Sequence, residues 1–438
     1  MPLLNKIKKL ASSSGIIMVS RLGGAGIGFL TQLLLVKLMG AHQLGLFYAA
    51  SSLAAVLGVI AAQGYPVIAA RFVGRYRNKQ NDVLCGTFTG HALREGLIVA
   101  AVMAVAVSLW AVLWPSLMPD ERGAYVIAGW MIVGIVILNI LTNIAGGMRN
   151  FSLCYMPEGL FRPILFFAVI AAAGLAGLAL TGVIAMLIFG AITAGLAVIV
   201  AVLLARHVPR VRFAKASRPA LAWRWRREAW QLIVLAIFTN FFADVGILVA
   251  VPFLNPAEIA VFGLCLKLAL LVGYFVQIGQ QMVVPDMADA RHKGDHDRLH
   301  NAAWRSIIVP SVITLMSMNI IFVYGEQLLA LFGAEFAVGR ATLLILLAAQ
   351  LLRALAGPSA HLLTLSGIQS VNLGLATSSL LMLFLASAVL SPIYGMEGAG
   401  YAVLMAYVYW IGASAIALRW LREPSVDVMW LMLRSFRT

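Results

Sequence analysis

The sequence predicts an all-α polytopic membrane protein, with about 12 transmembrane helices in two six-helix lobes related by a parallel pseudo-repeat. Of the 438 residues, 62% are apolar and only 11% are charged, which is not the balance of a soluble domain. Apolar stretches of about 20 residues, long enough to cross roughly 30 Å of hydrocarbon, recur along the chain. They lack the alternation of polar and apolar residues that a β-barrel requires.

The two lobes are predicted from a layout that occurs twice at an offset of 215 residues. A turn, an apolar span and a polar exit follow one another in residues 40–84, and again in residues 255–299. The matched positions include Gly58 with Gly273, and Gly64 with Gly279. Because six spans per lobe is an even number, both lobes enter the membrane in the same sense, and the natural binding site is between them.

The apolar stretches predict where the spans and the domains begin and end. The spans are expected at approximately 14–38, 44–69, 88–114, 123–146, 159–180, 183–205, 229–251, 258–284, 302–323, 337–364, 370–390 and 397–419. The corresponding parts are an N-terminal lobe (1–205), a basic interlobe linker (206–228), a C-terminal lobe (229–419) and an amphipathic tail (420–438).

The positive charge follows a topological pattern. If the N-terminus is cytoplasmic, the segments on that side hold 23 of the 32 Lys and Arg residues. The positive-inside rule therefore predicts a multi-pass protein of the cytoplasmic (inner) membrane with both termini in the cytoplasm, and no nucleic-acid partner. The linker combines eight cations with Trp223 and Trp225, so we expect it to lie on anionic membrane lipids.

Charged residues inside the spans are candidate functional residues, since a charge is costly in hydrocarbon. Arg21 either faces a central cavity or snorkels to the cytoplasmic interface. Asp244 and Lys267 lie at similar depths on consecutive spans, where they form a structural ion pair or take part in a cavity and in ion coupling. Arg353, one turn after Gln350, is the candidate cation of the second half for an anionic ligand.

Amide side chains supply the remaining polar cavity candidates. Asn139 and Asn143 share a face of the fourth span, as Gln277 and Gln281 do on the eighth, and Gln350 lies on the tenth. Amides at this spacing either hydrogen-bond a sugar or hold neighbouring helices together.

No enzymatic activity, metal or cofactor is predicted. Asp295 and Asp297 flank His296 in an Asp-x-Asp pattern, but they occupy a short polar loop with no soluble domain to build a nucleotide pocket, so we interpret them as a solvated hairpin. The sequence contains no P-loop, and hence no encoded ATP hydrolysis.

Three segments resemble the polysaccharide-export branch of the multidrug/oligosaccharidyl-lipid/polysaccharide (MOP) exporter superfamily. The first, MGAHQLGLFYAASSLAAVLGVIAAQGYPVIAARFVGRY, is similar to that family's Leu-Gly turn, Phe/Tyr pair and Gly-to-Arg exit. GAEFAVGRATLLILLAAQLLRALAGPSAHLLTLSGIQ resembles its tenth span, and YGMEGAGYAVLMAYVYW resembles the start of its twelfth. Together they extend over the chain in the family's order.

The resemblance implies a MATE-like transporter in which two lobes surround a cavity that opens alternately to either side. Arg21 occupies the first-helix position where lipid-oligosaccharide flippases often carry arginine, whereas many drug exporters carry an acid in that helix. The implied function is translocation of a polyprenyl-diphosphate-linked oligosaccharide for cell-surface polysaccharide or lipopolysaccharide synthesis. The implied protein partners are a polysaccharide polymerase and glycosyltransferases.

Three other functions are alternatives to the flippase. A cation-coupled multidrug exporter of the same architecture should need Asp244 and be indifferent to Arg21. A membrane-embedded glycosyltransferase or polymerase should have large outer loops, but the outer loops of this chain are short. A structural scaffold gives no reason for the internal duplication.

Overall fold

The protein is built from helices joined by short turns. The computed structural model describes residues 13–206, 219–293, 295–359, 362–363 and 369–421, and no strand occurs in these ranges. Two compact units are present, Met1–Asp244 and Val245–Thr438. The predicted all-α fold class is confirmed, while the lobe boundaries 1–205 and 229–419 stay a prediction.

In the first unit a series of long helices alternates with shorter ones. In chain order these helices are α1 (Ser13–Ala61), α2 (Tyr65–Asn78), α3 (Asp82–Leu113), α4 (Pro119–Gly147), α5 (Phe151–Met156), a π-helical turn (Pro157–Phe161), α6 (Arg162–Leu175), α7 (Gly182–Ala205), α8 (Pro219–Trp230), α9 (Ile233–Asn240) and the start of α10 (Phe242–Ala250).

The second unit begins within α10 and has fewer, longer helices. They are α11 (Pro256–Lys293), α12 (His296–Ala330), a 3-10 helix (Ala334–Gly339), α13 (Arg340–Leu355) and α14 (Gln369–Trp420). The predicted tail 420–438 lies outside the described residues beyond Leu421.

Short polar side chains fix where several of these helices start. Asn81, Asn150, Thr181 and Asp295 each accept a hydrogen bond from the backbone N–H three residues later, over 3.0 to 3.3 Å. Such caps satisfy amide groups that have no partner inside the helix. Asp295, the first acid of the Asp-x-Asp pattern, is thus the N-cap of α12.

The described helices account for the predicted number of membrane spans. Nine are long and apolar enough to cross a membrane, and the bent pair of 220–240 with Phe242–Ala250 brings the number to ten. In α1 and α14, Gly40 (φ 72°) and Gly395 (φ 58°) have non-helical geometry, so each of these helices contains two spans. Positive φ angles are easily adopted only by glycine. The total is then twelve, as predicted.

The seventh span is not the single continuous helix expected over residues 229–251. It is bent by 80° at Phe241, between α9 and α10. Just before the bend, the Thr239 hydroxyl donates to the backbone carbonyl of Leu235 (2.7 Å) and the Asn240 amide donates to that of Ala236 (3.3 Å). These side chains compete with the backbone hydrogen bonds that would continue the helix.

The second span is also shorter than the predicted 44–69. The helix α1 ends at Ala61, and a turn through Gly64 (φ 74°) leads into α2, which has Pro66 in its first turn. Proline is favoured at the start of a helix because the N–H that it lacks has no helical partner there. The segment after Gly64 is therefore a separate amphipathic helix.

The duplication predicted from sequence is visible in helix packing. A β-carbon added at Gly58 would lie 2.6 Å from the side chain of Ile135, and one added at Gly273 would lie 2.6 Å from that of Gln350. Both members of the second pair are 215 residues after those of the first, the same offset as in the sequence. The same close approach of two helices thus occurs once in each unit.

One expectation for the basic linker is wrong. Trp225, predicted to lie at membrane headgroups, is completely buried, whereas Trp223 is 59% exposed. The Trp225 indole N–H donates to the Tyr76 hydroxyl (2.9 Å), and its ring packs edge-on against Phe88. Packing against α2 and α3 therefore places the two tryptophans in different environments. Residues 207–218 of the linker lie outside the described ranges.

Candidate functional site

A polar cluster lies inside the second unit. The side chains of Gln350 and Tyr407 are 4% and 7% exposed, and Arg353 is half-buried. The Gln350 amide and the Arg353 guanidinium both lie within hydrogen-bonding reach of the Tyr407 hydroxyl. We call Gln350, Arg353 and Tyr407 the Arg353 cluster. The sequence predicted the first two residues and missed Tyr407, because contacts between α13 and α14 cannot be derived from spacing within one helix.

Gln350 occupies a position where an apolar residue would be expected. It continues the buried face of α13 that includes Leu343, Leu346 and Leu347. The position 215 residues earlier holds Ile135. Among the described residues, Oε1 of Gln350 has no hydrogen-bond partner. A buried polar atom without a partner costs about 1–3 kcal/mol and therefore calls for an explanation, such as a ligand.

A second buried glutamine, Gln280 of α11, has a structural role that the sequence analysis missed. It is 6% exposed and donates from Nε2 to the backbone carbonyls of Arg353 (3.2 Å) and Gly357 (2.9 Å). It thereby gives a donor to the Arg353 carbonyl in the last turn of α13, where helical partners are lacking, and to the Gly357 carbonyl just beyond the helix. The predicted candidates on the same helix differ from it, since Gln277 is half-buried and Gln281 is exposed. Which of these amides is buried depends on the side of α11 that each residue faces.

Leucine substitutions should separate these two buried glutamines. We expect Gln280→Leu to lower the free energy of unfolding by about 1–3 kcal/mol, because two buried carbonyls lose their donor. Gln350→Leu should change it by less than about 1 kcal/mol, because removing the unpartnered Oε1 offsets the loss of the amide's contact with the Tyr407 hydroxyl. Thermal unfolding of the two purified variants in one detergent measures the difference. Equal losses would contradict the proposed distinction.

The other predicted cations lie on α1 and α11. Arg21 is half-buried, on the part of α1 that precedes Gly40, and its charge acts on the Tyr155 hydroxyl of α5. The backbone approaches closely beside it, since a β-carbon added at Gly24 would lie 1.7 Å from the carbonyl oxygen of Gly159. Lys267 is half-buried on α11.

Asp244 is held by a hydroxyl of the first unit. The Ser52 Oγ of α1 donates to Oδ1 of Asp244 over 2.9 Å. A hydrogen bond to a carboxylate stabilises its charged form. Because Asp244 is the last residue of the first unit and Lys267 belongs to the second, the ion pair between them stays a prediction.

The two asparagines of α4 are half-buried. Asn143 donates from Nδ2 to the backbone carbonyl of Asn139 over 2.8 Å. This bond stays within one helix, so it does not join neighbouring helices. Both the sugar-binding and the helix-joining roles of this pair stay predictions.

Comparison with known proteins identifies the fold. The sequence matches no protein-family model and no curated protein. The structure is similar to an inward-facing multidrug resistance MATE family transporter of the MOP superfamily, with a TM-score of 0.72 and 14% identity over 91% of this chain and 94% of the other. It is also similar to the lipid II flippase MurJ in an inward closed conformation, with a TM-score of 0.74 and 12% identity over 96% of this chain and 90% of the other.

A further similar structure is a MOP superfamily transporter from Pyrococcus furiosus, described as having a binding pocket of reversed polarity. Its TM-score is 0.51 and its identity 14%, over 94% of this chain and 95% of the other. These neighbours show that the chain has the fold of the MOP superfamily transporters, and its long apolar helices indicate a multi-pass membrane protein. Identities this low leave the substrate to be argued from the chain's own residues.

Proposed function

We propose that the protein is a flippase that moves a polyprenyl-diphosphate-linked oligosaccharide or polysaccharide unit across the cytoplasmic membrane by alternating access, for synthesis of a cell-surface polysaccharide. The observation that carries the proposal is the Arg353 cluster, a cation beside a buried amide whose Oε1 has no partner among the described residues. A guanidinium binds phosphate oxygens, and the amide is suited to a sugar hydroxyl.

The physical requirement for such a protein is clear. A diphosphate-linked sugar cannot cross hydrocarbon alone, because its charged and hydroxyl-rich head would lose its hydration. Cations and amides inside a membrane protein replace that hydration, while the polyprenyl tail stays in the bilayer. Arg21, Lys267 and Arg353 are the cations that we assign to this task, and the family resemblance of Arg21 supports the assignment.

The alternative is a cation-coupled multidrug exporter. The observation that favours it is Asp244, a carboxylate within the bent seventh span that accepts a hydrogen bond from Ser52. An acid in a membrane span can take a proton or a sodium ion during transport. The same residue can also couple flipping to an ion, so Asp244 alone does not separate the two functions. Arg21 does separate them, because its positive charge attracts a diphosphate but does not help to bind a cationic drug.

Transport by the purified protein in vesicles distinguishes the two functions. We expect wild type to flip a fluorescent polyprenyl-diphosphate oligosaccharide. Arg21→Gln, which removes the charge, should flip it more slowly by roughly tenfold, and Arg21→Lys, which keeps the charge, should lose less. Flipping is scored by accessibility of the fluorophore to a membrane-impermeant quencher.

Efflux of a hydrophobic cationic dye is the matching assay for the alternative. If wild type does not flip the lipid but exports the dye, and only Asp244→Asn abolishes export, the flippase proposal fails. Asparagine keeps one oxygen that can accept the Ser52 hydrogen bond, but it cannot carry the negative charge or take up a proton. Arg21→Gln should leave dye efflux unchanged in that case.

A further inference from the structure

The helix α8 has one face fixed against the first unit. Its Trp225 and Ala229 are 0% and 1% exposed. The Trp225 indole donates to the Tyr76 hydroxyl over 2.9 Å, and burial raises the pKa of Tyr76, so this hydroxyl stays neutral. Because one face of α8 is held in this way, the direction in which its opposite face points is also fixed.

The opposite face of α8 borders an open cavity of about 720 Å³ within the first unit. One wall is formed by Ile98 and Val99 of α3 together with Glu95, and the other by residues of α8; Gln63 and Gln231 complete the lining. The α8 wall has two tryptophans and two arginines: Trp223, Arg226, Arg227 and Trp230. Both tryptophans are more than half exposed, at 59% and 66%. Apart from Glu95, which is bonded to Arg226, the α3 side is apolar, and the α8 side is aromatic and cationic.

The arginines leave a positive charge uncompensated at this wall. Arg226 is neutralised by Glu95, to which it donates two hydrogen bonds, one of them 2.8 Å long. In the part of the chain that the structure describes, Arg227 has no carboxylate partner, and its guanidinium lies 4.7 Å from the centre of the Trp223 ring. A site with one uncompensated positive charge favours an anionic ligand.

The apolar wall continues along α3 as a stripe of exposed side chains. Starting from Ile98, the residues on this face are 47–63% exposed: Val102, Val105, Leu109 and Val112. Their spacing of three and four residues places them on one side of the helix. In a membrane-spanning helix, an exposed apolar face of this kind contacts lipid acyl chains. The cavity thus lies where the acyl-chain surface meets arginine and tryptophan, the residues typical of the headgroup region.

From this arrangement we infer that the cavity between α3 and α8 binds an anionic glycerophospholipid. The headgroup phosphate binds Arg227 beside the two tryptophans, and an acyl chain follows the stripe on α3 from Ile98. A soluble anion would use the cationic wall and leave the apolar wall unused, which is why we assign a lipid. By the positive-inside prediction the lipid belongs to the cytoplasmic leaflet. This site is separate from the Arg353 cluster and does not depend on the transported substrate.

The test is lipid binding to the purified full-length protein, measured as the rise of its melting temperature when lipid is added. Phosphatidylglycerol should raise the melting temperature more than phosphatidylcholine with the same acyl chains. Arg227→Gln should weaken the phosphatidylglycerol effect, shifting its midpoint to about fivefold higher lipid concentration. Its melting temperature without added lipid should match wild type, because Arg227 is exposed and, among the described residues, contacts Trp223 alone through its guanidinium.

The matched control is Arg419→Gln, which removes the same charge beside another exposed tryptophan, Trp420. It should leave the phosphatidylglycerol midpoint unchanged. Equal weakening in both variants would show diffuse attraction to net charge and would overturn the site. Equal effects of the two lipids on wild type would also overturn it. If inorganic phosphate displaces the lipid at millimolar concentration, the ligand is a free anion and the lipid assignment is wrong.

Discussion

Replacing Arg353 by glutamine is expected to lower the rate of flipping of a polyprenyl-diphosphate oligosaccharide by roughly 10- to 100-fold, the equivalent of one hydrogen-bonded ion pair with phosphate. The change removes the guanidinium that lies beside Tyr407 and Gln350. It does not remove the backbone carbonyl of residue 353, which accepts the Gln280 hydrogen bond (3.2 Å). The end of α13 therefore stays capped, and the loss should come from the ligand rather than from unfolding.

Arg353→Lys and Arg340→Gln provide the comparisons for this prediction. Lysine keeps the charge without the planar fork of arginine, so flipping should fall between the rates of wild type and Arg353→Gln. Arg340 begins the same helix, pairs with Glu326 (3.0 Å) and lies 5.5 Å from the Phe322 ring centre. Arg340 is the first residue of α13, whereas Arg353 is in its last turn. Arg340→Gln should therefore leave the rate of flipping within about twofold of wild type. An Arg353→Gln protein that flips the lipid normally would remove Arg353 from the site.

The fold could be predicted from sequence because its signals are repeated and physically simple. Apolar length predicts spans, and the 215-residue offset predicts two similar lobes; the Gly58–Ile135 and Gly273–Gln350 contacts repeat at that same offset. The bend at Phe241 was not predicted, because hydropathy does not register a hydroxyl or amide that bonds back to its own helix. Helix breaks of this kind are determined by hydrogen-bond competition over a few residues.

The candidate site was only partly accessible from sequence. Charge in an apolar span is a strong signal, so Arg353 was found, and Gln350 was noticed because it lies one turn away. Tyr407 and Gln280 carry no such signal, since a tyrosine or a glutamine among apolar residues is common. Their roles depend on tertiary contacts between helices far apart in sequence, namely α13 with α14 and α11 with the end of α13.

Gly64→Ala is expected to destabilise the first unit by roughly 3–5 kcal/mol, because two independent costs add. Gly64 has a φ of 74°, and a non-glycine residue in that region costs about 1–2 kcal/mol. In addition, an added β-carbon would lie 2.1 Å from the backbone carbonyl oxygen of Ala229. A backbone atom cannot rotate away, so α8 must shift and partly expose Trp225. Thermal unfolding of the purified variant in detergent measures the loss.

Gly177→Ala separates the two costs, since Gly177 also has a positive φ (66°) but no atom lies within 4 Å of an added β-carbon. Its free energy of unfolding should fall only by the cost of holding alanine at a positive φ, about 1–2 kcal/mol. The difference between the two variants then measures the close approach of α8 at Gly64. Since Trp225 is buried by that approach, quenching of tryptophan fluorescence by a soluble quencher should increase in Gly64→Ala and not in Gly177→Ala. Equal destabilisation without a change in quenching would mean that α8 tolerates the added methyl group, and that Gly64 matters only for the turn between α1 and α2.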